Sequence, residues 1–258
     1  MEFQSLNVTS ENTDVLPFQM EYLPDYMLKK CEAELKETLE KEKKLLAFRN
    51  ILEDDVITSG INFKEDFLIQ YLRHSKYDIN KALKHLRNYV NIRRKKSHMF
   101  ESFTEKYLSE LLSTNFFNVV PKRSPDGCAI AILQLDKWNM KHLTIEQFIQ
   151  LHMMYIMQLL RDQMNQINGL RIIFDFKGTG LPLIKMCSPQ NLYICNHMIL
   201  VYFHSTNEDL FEYFPPSVLP TMYGGELLES DMEQGFSWIR NANNEQRENT
   251  VEGQPNIY

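Results

Sequence analysis

Residues 168–180 read Asn-Gly-Leu-Arg-Ile-Ile-Phe-Asp-Phe-Lys-Gly-Thr-Gly. The stretch opens on a turn, because Asn168 and Gly169 both adopt positive φ at low steric cost. The residues that follow are apolar except for Arg171 until Asp175 is reached, which is typical of a strand buried on most of both faces. We predict that this strand is the central strand and the floor of the fold, and that Asp175 caps its end or the following turn rather than acting as a catalytic base.

The chain before this strand has the pattern of another strand followed by a long helix. The turn sequence Pro125-Asp126-Gly127 leads into a mostly apolar strand from Cys128 to Asp136. Thr144 and Gln147 then have the spacing of a capping box at the head of a helix from Ile145 to about Arg161. Strand, helix and strand together predict a parallel βαβ unit with a right-handed crossover.

One face of this helix is wide, apolar and rich in methionine. It comprises Ile145, Phe148, Ile149, His152, Ile156, Leu159 and Leu160, with Met153, Met154 and Met157 beside it. Such a face either packs a core or lines an adaptable lipophilic cavity, and the pattern alone leaves both readings open. His152 on this face is expected to be a hydrogen-bonded core histidine.

Helical patterns fill most of the chain before residue 112. Pro24 suits the first turn of a helix, and leucines recur at helical spacing after it, so we predict one long helix ending near Asp54-Asp55. Apolar residues from Phe67 to Leu72 form a second helix, and Asp78 is predicted to cap a third. These elements indicate a compact helical lobe.

Composition narrows the classes of function. The chain has 258 residues and a formal net charge of -6, which argues against broad, non-specific binding of nucleic acid. It has no apolar run of the roughly 18 residues that a spanning helix needs, and its first residues lack the pattern of a secretion signal. Its cysteines show no Cys-x-x-Cys spacing, so we expect reduced thiols in a cytoplasmic protein.

Positive charge is densest at Arg93, Arg94, Lys95 and Lys96. These cations either form a solvated helix end, where they complement the negative end of the helix dipole, or meet anionic lipid headgroups at a membrane surface.

Motifs of known catalytic chemistry are missing from the sequence. It contains no phosphate-binding loop, no full dinucleotide fingerprint and no nucleophile elbow. The seven histidines are scattered without the spacing of metal ligands. We therefore expect a protein that is not an enzyme and needs neither a cofactor nor a metal.

A series of short motifs occurs in an order that resembles the CRAL-TRIO lipid-transfer family, which includes tocopherol and retinaldehyde carriers. The motifs are Asp66-Phe67-Leu68, Tyr71-Leu72-Arg73, Lys76-Tyr77-Asp78, Lys81-Ala82-Leu83, Asp126-Gly127, Trp138, Gln166-Ile167-Asn168-Gly169, Phe174-Asp175 with Gly178, and Leu219-Pro220-Thr221-Met222-Tyr223-Gly224-Gly225. Each motif is weak alone, but their order over roughly residues 25–240 is specific.

The resemblance implies an α/β protein in which an all-helical lobe precedes a lobe with a mostly parallel sheet covered by helices. The implied division is a flexible arm at residues 1–23, the helical lobe at 24–100, the lipid-binding lobe at 101–240 and a disordered tail at 241–258. The expected lining of the lipid pocket is Ile149, His152, Ile156, Leu170, Ile172, Phe174, Cys195 and Met198.

The sequence departs from the family after Met198. The resemblance implies a further strand, an Asn-Pro turn, a mobile gate helix and a basic stretch that binds phosphoinositide headgroups, yet here Met198 runs almost directly into Leu200. We therefore expect a form shortened by an internal deletion.

Two functions follow from the resemblance. The first is a carrier that moves a tocopherol-like, retinoid or phosphoinositide lipid, such as phosphatidylinositol bisphosphate, between membranes through transient contact with their surfaces. The alternative is a non-transporting adaptor or an inactive short isoform, which the missing gate favours. The intact βαβ unit and the Tyr-Gly-Gly ending favour descent from a carrier.

Overall fold

A computed structural model of the chain describes residues 16–18, 20, 22–112, 116–138, 144–180, 208–234 and 239–244. The described helices are α1 (Asp25–Lys30), which continues as a π-helix (Cys31–Leu35), α2 (Lys41–Asp54), α3 (Glu65–His74), α4 (Ile79–Lys95), α5 (Glu105–Leu112), α6 (Ile145–Leu159) and α7 (Gln163–Asn168). The strands are β1 (Phe117–Val119), β2 (Ala129–Gln134), β3 (Leu170–Asp175) and β4 (Glu233–Gln234). Short 3-10 turns lie at Ser97–Phe100, Leu135–Lys137, Glu208–Glu212, Pro216–Val218, Thr221–Tyr223 and Glu229–Asp231.

Helices α2, α3 and α4 pack around one apolar core. Phe48, Leu72 and Leu86, one from each helix, are fully buried in it. The side chain of Asp78 caps α4 by accepting a hydrogen bond of 3.1 Å from the backbone N–H of Lys81, so the predicted cap is confirmed. This burial, together with the cap, holds the helical part of the fold together.

The prediction of one long helix from Pro24 to Asp54 is wrong. The helical path breaks at Lys36, whose φ of 63° is left-handed. The turn carries the Glu37 carboxylate to Arg73, whose Nε and Nη2 donate hydrogen bonds of 2.7 and 2.9 Å to it. The buried ion pair outweighs helix propensity here. The leucines that suggested one long helix do not lie on one buried face, since Leu39 is 103% exposed.

The described strands form one sheet in the order β3-β2-β1-β4. β2 and β3 are parallel, from Ala129 opposite Leu170 to Gln134 opposite Asp175, while β1 pairs antiparallel with both β2 and β4. The predicted βαβ unit is confirmed, since α6 lies between two parallel strands. A mostly parallel sheet was expected, and among the described strands one of these three pairings is parallel.

The most buried strand is β2, and the prediction that β3 is central is wrong for the described sheet. Every residue of β2 is buried, whereas every residue of β3 is only partly buried, and within the described chain β3 pairs only with β2. Arg171 accounts for part of this difference, because its guanidinium reaches out to the carboxylate of Asp126 at 2.7 Å.

Two apolar cores lie on opposite sides of the sheet. Ala129, Ala131 and Leu133 of β2 point into the core that contains α6, and Ile130 and Ile132 point into the other. This alternation is the two-residue period of a strand, and here both faces are covered.

The second core is closed by residues 219–225, the Leu-Pro-Thr-Met-Tyr-Gly-Gly segment. Gly225 has no room for a side chain, because an added Cβ would lie 2.0 Å from the Leu219 carbonyl oxygen. The hydroxyl of Tyr223 donates a hydrogen bond of 2.8 Å to the Asp175 carboxylate, which also accepts one from the backbone N–H of Lys177. Asp175 therefore caps the turn after β3, as predicted.

Described residues of the predicted arm and of the predicted tail pack against the rest of the chain. Phe18, in the predicted arm, is buried, and its backbone N–H donates to the Pro121 carbonyl oxygen at 2.7 Å. Residues 239–244 are helical. Asn243, in the predicted tail, pairs with both backbone groups of Phe103 at 2.5 and 3.0 Å. Within the described ranges, no helix has the length and apolar character needed to cross a membrane.

Candidate functional site

Helix α6 begins where the sequence predicts. The hydroxyl of Thr144 accepts a hydrogen bond of 3.3 Å from the backbone N–H of Gln147, whose side-chain oxygen accepts one of 2.9 Å from the backbone N–H of Thr144. This capping box is confirmed and fixes the register of the helix. The helix ends at Leu159, two residues before the predicted end.

Two stripes with different burial run along α6. The buried stripe packs into the main core and comprises Phe148, Leu151, Met154, Tyr155, Ile156 and Leu159. The half-buried stripe lies beside it and comprises Ile149, His152, Met153 and Met157. The methionine-rich face therefore serves partly as core and is partly left uncovered.

Strand β3 presents a second half-buried apolar surface to the same core. Leu170, Ile172 and Phe174 alternate along the strand and all pack against the core that contains α6. Ile173, between two of them, packs against the opposite core. The rings of Phe174 and His152 lie 5.8 Å apart, so β3 and the half-buried stripe of α6 meet there.

Five of the eight residues predicted to line a pocket thus lie on these two neighbouring surfaces. A sixth, Ile156, is 8% exposed and belongs to the buried stripe and the core. The predicted lining residues Cys195 and Met198, and the expected deletion before Leu200, lie outside the described residues.

His152 is surrounded by aromatic rings. Its ring is parallel to that of Phe148, with centroids 6.2 Å apart, and stacks near that of Phe117 at 6.3 Å. Its Nδ1 atom is buried and has no hydrogen-bond partner among the described residues, so the expected hydrogen bond of a core histidine is not made at this nitrogen. Burial lowers the pKa of His152 from its ordinary value of 6.5 to about 4.

This lowered pKa makes the stability of the protein depend on pH. The unfolded histidine takes up a proton below pH 6.5 and the folded one only near pH 4, so the contribution of His152 is intact above pH 6.5 and falls as the pH drops to about 4. The loss is at most about 3 kcal/mol, and less because the residue is partly exposed. In urea unfolding at pH 4.5 and pH 7.5, His152→Phe should lose less stability between the two pH values than the wild type. An equal loss in both proteins would contradict this.

The predicted basic cluster separates into one structural and three exposed cations. Arg93 is partly buried, donates a hydrogen bond of 3.2 Å to the Tyr89 hydroxyl and lies 5.1 Å from the centre of the Phe100 ring. The side chains of Arg94, Lys95 and Lys96 are exposed at the end of α4. Next to them, Ile92 is 52% exposed.

The sequence did not predict the contacts of two buried arginines. Arg73 of α3 holds Glu37 and also donates a hydrogen bond of 2.5 Å to the Gln166 side chain, which ties α3 to α7. Arg123 is fully buried beside Asp162, at 2.6 Å. Both arginines, like Gln166, have partners far away in the sequence, so no local pattern identifies these contacts. Among the described residues, no group of three or more candidate metal-ligating side chains occurs.

Parts of this sequence are similar to known proteins. Residues 113–200 match the model of the CRAL/TRIO domain. Over 160 residues, which is 62% of this chain, the sequence is 27% identical to alpha-tocopherol transfer protein-like proteins of Homo sapiens and Pongo abelii, and it covers 47% of each. The same values hold for the relative from Mus musculus. The chain spans about half the length of these curated relatives. The domain match and the relatives agree with the observed combination of helices and a small sheet, and residues 113–200 are similar to the CRAL/TRIO domain.

Proposed function

We propose that the protein binds a hydrophobic molecule and carries it between membranes without catalysing a reaction. A tocopherol-like, retinoid or phosphoinositide lipid is the expected class of ligand. The observation that carries the proposal is the pair of half-buried apolar surfaces, on α6 and β3, that meet at His152 and Phe174. The similar proteins support the proposal, because they are named alpha-tocopherol transfer protein-like.

The affinity would come mainly from burial of apolar surface. Each 100 Å² of ligand surface removed from water contributes about 2.5 kcal/mol at about 25 cal/mol per Å². Part of this gain is offset by the lost freedom of the ligand and of the side chains that become ordered around it. The thioethers of Met153 and Met157 suit such a surface, since methionine adapts its shape to different apolar partners.

The proposed lining consists of the residues predicted from the sequence together with Met153 and Met157. Ile149, His152, Leu170, Ile172 and Phe174 would touch the ligand. Ile156 would support the lining from the core. Cys195 and Met198 remain proposed members from outside the described residues.

Contact with a membrane is proposed to involve the end of α4. Arg94, Lys95 and Lys96 would each contribute about 1 kcal/mol near an anionic surface, and the exposed Ile92 side chain lies beside them. Such a cluster distinguishes lipids by charge alone, so binding should be weak, sensitive to salt and unselective between phosphoinositides and phosphatidylserine. A cytoplasmic location fits Cys31 and Cys128, which are both buried and outside any disulfide.

The proposal is tested by native mass spectrometry of the protein purified from cells, followed by transfer of the retained lipid between vesicles. We expect one lipid per chain after gel filtration. Replacing Arg94, Lys95 and Lys96 together with alanine should slow transfer to phosphatidylserine vesicles about tenfold at low salt, since each lost cation costs about 1 kcal/mol and part of this reaches the rate.

A matched control removes the same charge elsewhere. The triple replacement of Lys29, Lys64 and Lys84, which are exposed and scattered, with alanine should leave transfer nearly unchanged. Equal slowing in both triple variants would show that only net charge matters. A wild-type chain that carries no lipid and transfers none would refute the carrier function and favour the non-transporting adaptor.

A further inference from the structure

We propose that His74 and His85 together bind a divalent transition-metal ion, Cu²⁺ or Zn²⁺, with water completing the coordination of the ion. This site goes beyond the proposed function, because it lies on α3 and α4 and shares no residue with the apolar surfaces of α6 and β3. The ion is not needed to build the fold, since the apolar core of α2, α3 and α4 already holds these helices together.

The first observation is the distance between the two imidazole rings. Their centroids are 4.9 Å apart and their planes are inclined by 77°. Zinc lies about 2.0–2.1 Å from an imidazole nitrogen and roughly 3.2 Å from the ring centre. Two rings that share one ion at an angle of about 90–109° therefore have centres about 4.5–5.2 Å apart. The two histidines thus already have the spacing of two ligands of one ion.

The second observation is that the backbone of both histidines is fixed while their side chains are accessible. His74 is the last residue of α3 and follows the buried Arg73, and His85 precedes Leu86 of α4, which is fully buried. Both histidines are exposed, and within the described ranges no hydrogen bond or ion pair occupies their ring nitrogens. Ligands that are already positioned lose little conformational freedom on binding, which favours capture of an ion.

The two imidazoles determine which ions bind and how tightly. Imidazole suits Cu²⁺ and Zn²⁺, with Cu²⁺ bound more tightly, whereas Mg²⁺ and Ca²⁺ prefer oxygen ligands. Structural and catalytic zinc sites use three or four protein ligands, so a site with two binds more weakly than they do. Lys84, next to His85, is exposed and positively charged, which weakens the attraction for a cation further. The pair therefore selects the type of ion without binding it tightly.

The test titrates the untagged full chain with Cu²⁺ and follows calorimetry and electron paramagnetic resonance. We expect an ion held by two imidazole nitrogens, visible as nitrogen couplings in the spectrum, and no binding of Mg²⁺. His74→Ala and His85→Ala should each weaken Cu²⁺ binding at least tenfold, since loss of even an outer-shell partner costs about 10–100-fold in metal affinity. The matched control is His98→Ala, which removes a single exposed histidine from the 3-10 turn after α4 and should leave this binding unchanged.

A further variant distinguishes a pair of ligands from an ordinary aromatic pair, which has a similar spacing. His74→Phe keeps a ring against His85 but has no nitrogen, so it should melt like the wild type without metal and still lose Cu²⁺ binding at least tenfold. A wild type without the signal of two imidazoles, or a His74→Phe variant that binds Cu²⁺ as tightly as the wild type, would overturn the inference. Equal weakening in His98→Ala would also overturn it, because the ion would then not be held by this pair alone. These outcomes leave the carrier function untouched, since its own test is retention of cellular lipid.

Discussion

Replacing Arg123 with methionine is expected to lower the free energy of unfolding by about 3–5 kcal/mol, because it removes one partner of a buried ion pair and leaves the other polar groups behind. The Arg123 side chain is 0% exposed. Its guanidinium donates to the Asp162 carboxylate at 2.6 Å and to the Asn165 side-chain oxygen at 2.7 Å. Methionine replaces the aliphatic part of the arginine side chain but can donate to neither.

The loss extends to the backbone of two other segments. The Arg123 guanidinium also donates to the carbonyl oxygen of Phe18 at 2.8 Å and to that of Gly127 at 3.2 Å. A buried acceptor left without a donor costs about 1–3 kcal/mol. The Asp162 side chain is 33% exposed, so water relieves part of its lost pairing, and the lower half of the range is the better expectation.

A second arginine serves as the control. Arg171 also pairs with a carboxylate, that of Asp126 at 2.7 Å, and donates to the Tyr213 carbonyl oxygen, but both partners of this ion pair are partly exposed. Exposed pairs contribute about 0–1 kcal/mol. In urea unfolding, Arg171→Met should therefore cost far less than Arg123→Met. Equal losses would show that burial does not set the importance of Arg123.

The sequence predicts those elements whose signals are local. The capping box of Thr144 and Gln147 and the turn at Asn168 and Gly169 each involve residues within four positions of one another. For this reason α6, β2 and β3 lie within about two residues of their predicted ends. The hydrogen bond from the Tyr223 hydroxyl to the Asp175 carboxylate could not be predicted, although both residues belong to motifs that carry the family resemblance.

The sequence could not predict which strand is more buried, nor which residues far apart in the sequence pair with each other. β1 and β4 have three and two residues, too few to show a strand period. β3 has the more conspicuous apolar run, yet β2 is more buried because it has neighbours on both sides. The break at Lys36 depends on Arg73, which lies 36 residues from Glu37. Such partners follow from the fold and leave no trace in a local pattern.

The candidate site was predicted in outline only. Helical and strand periodicity place Ile149, His152 and Phe174 on apolar faces, and the structure brings these faces together. Periodicity cannot distinguish the half-buried stripe of α6 from the buried one, because both are apolar and adjacent. It also cannot show that the His152 Nδ1 atom lacks a hydrogen-bond partner among the described residues, because the aromatic rings around it belong to two other elements.

Ile172→Trp is expected to reduce the amount of lipid retained through gel filtration by about tenfold or more, while Ile173→Trp retains it. The two isoleucines are adjacent on β3 and similarly half-buried, but Ile172 packs on the side of α6 and Ile173 on the opposite side. Tryptophan at residue 172 would occupy space that the proposed ligand needs, between the strand and the half-buried stripe of α6.

The pair separates loss of ligand from loss of fold. Added bulk in a packed region costs about 1–3 kcal/mol on either side of the sheet, so both variants should melt at similarly lowered temperatures. Only the variant at residue 172 should lose lipid, measured by native mass spectrometry on protein purified in parallel. If the two variants retain lipid equally, the ligand does not lie between α6 and β3. If Ile173→Trp alone loses it, the binding surface is on the other face of the sheet, next to the Leu219–Gly225 segment.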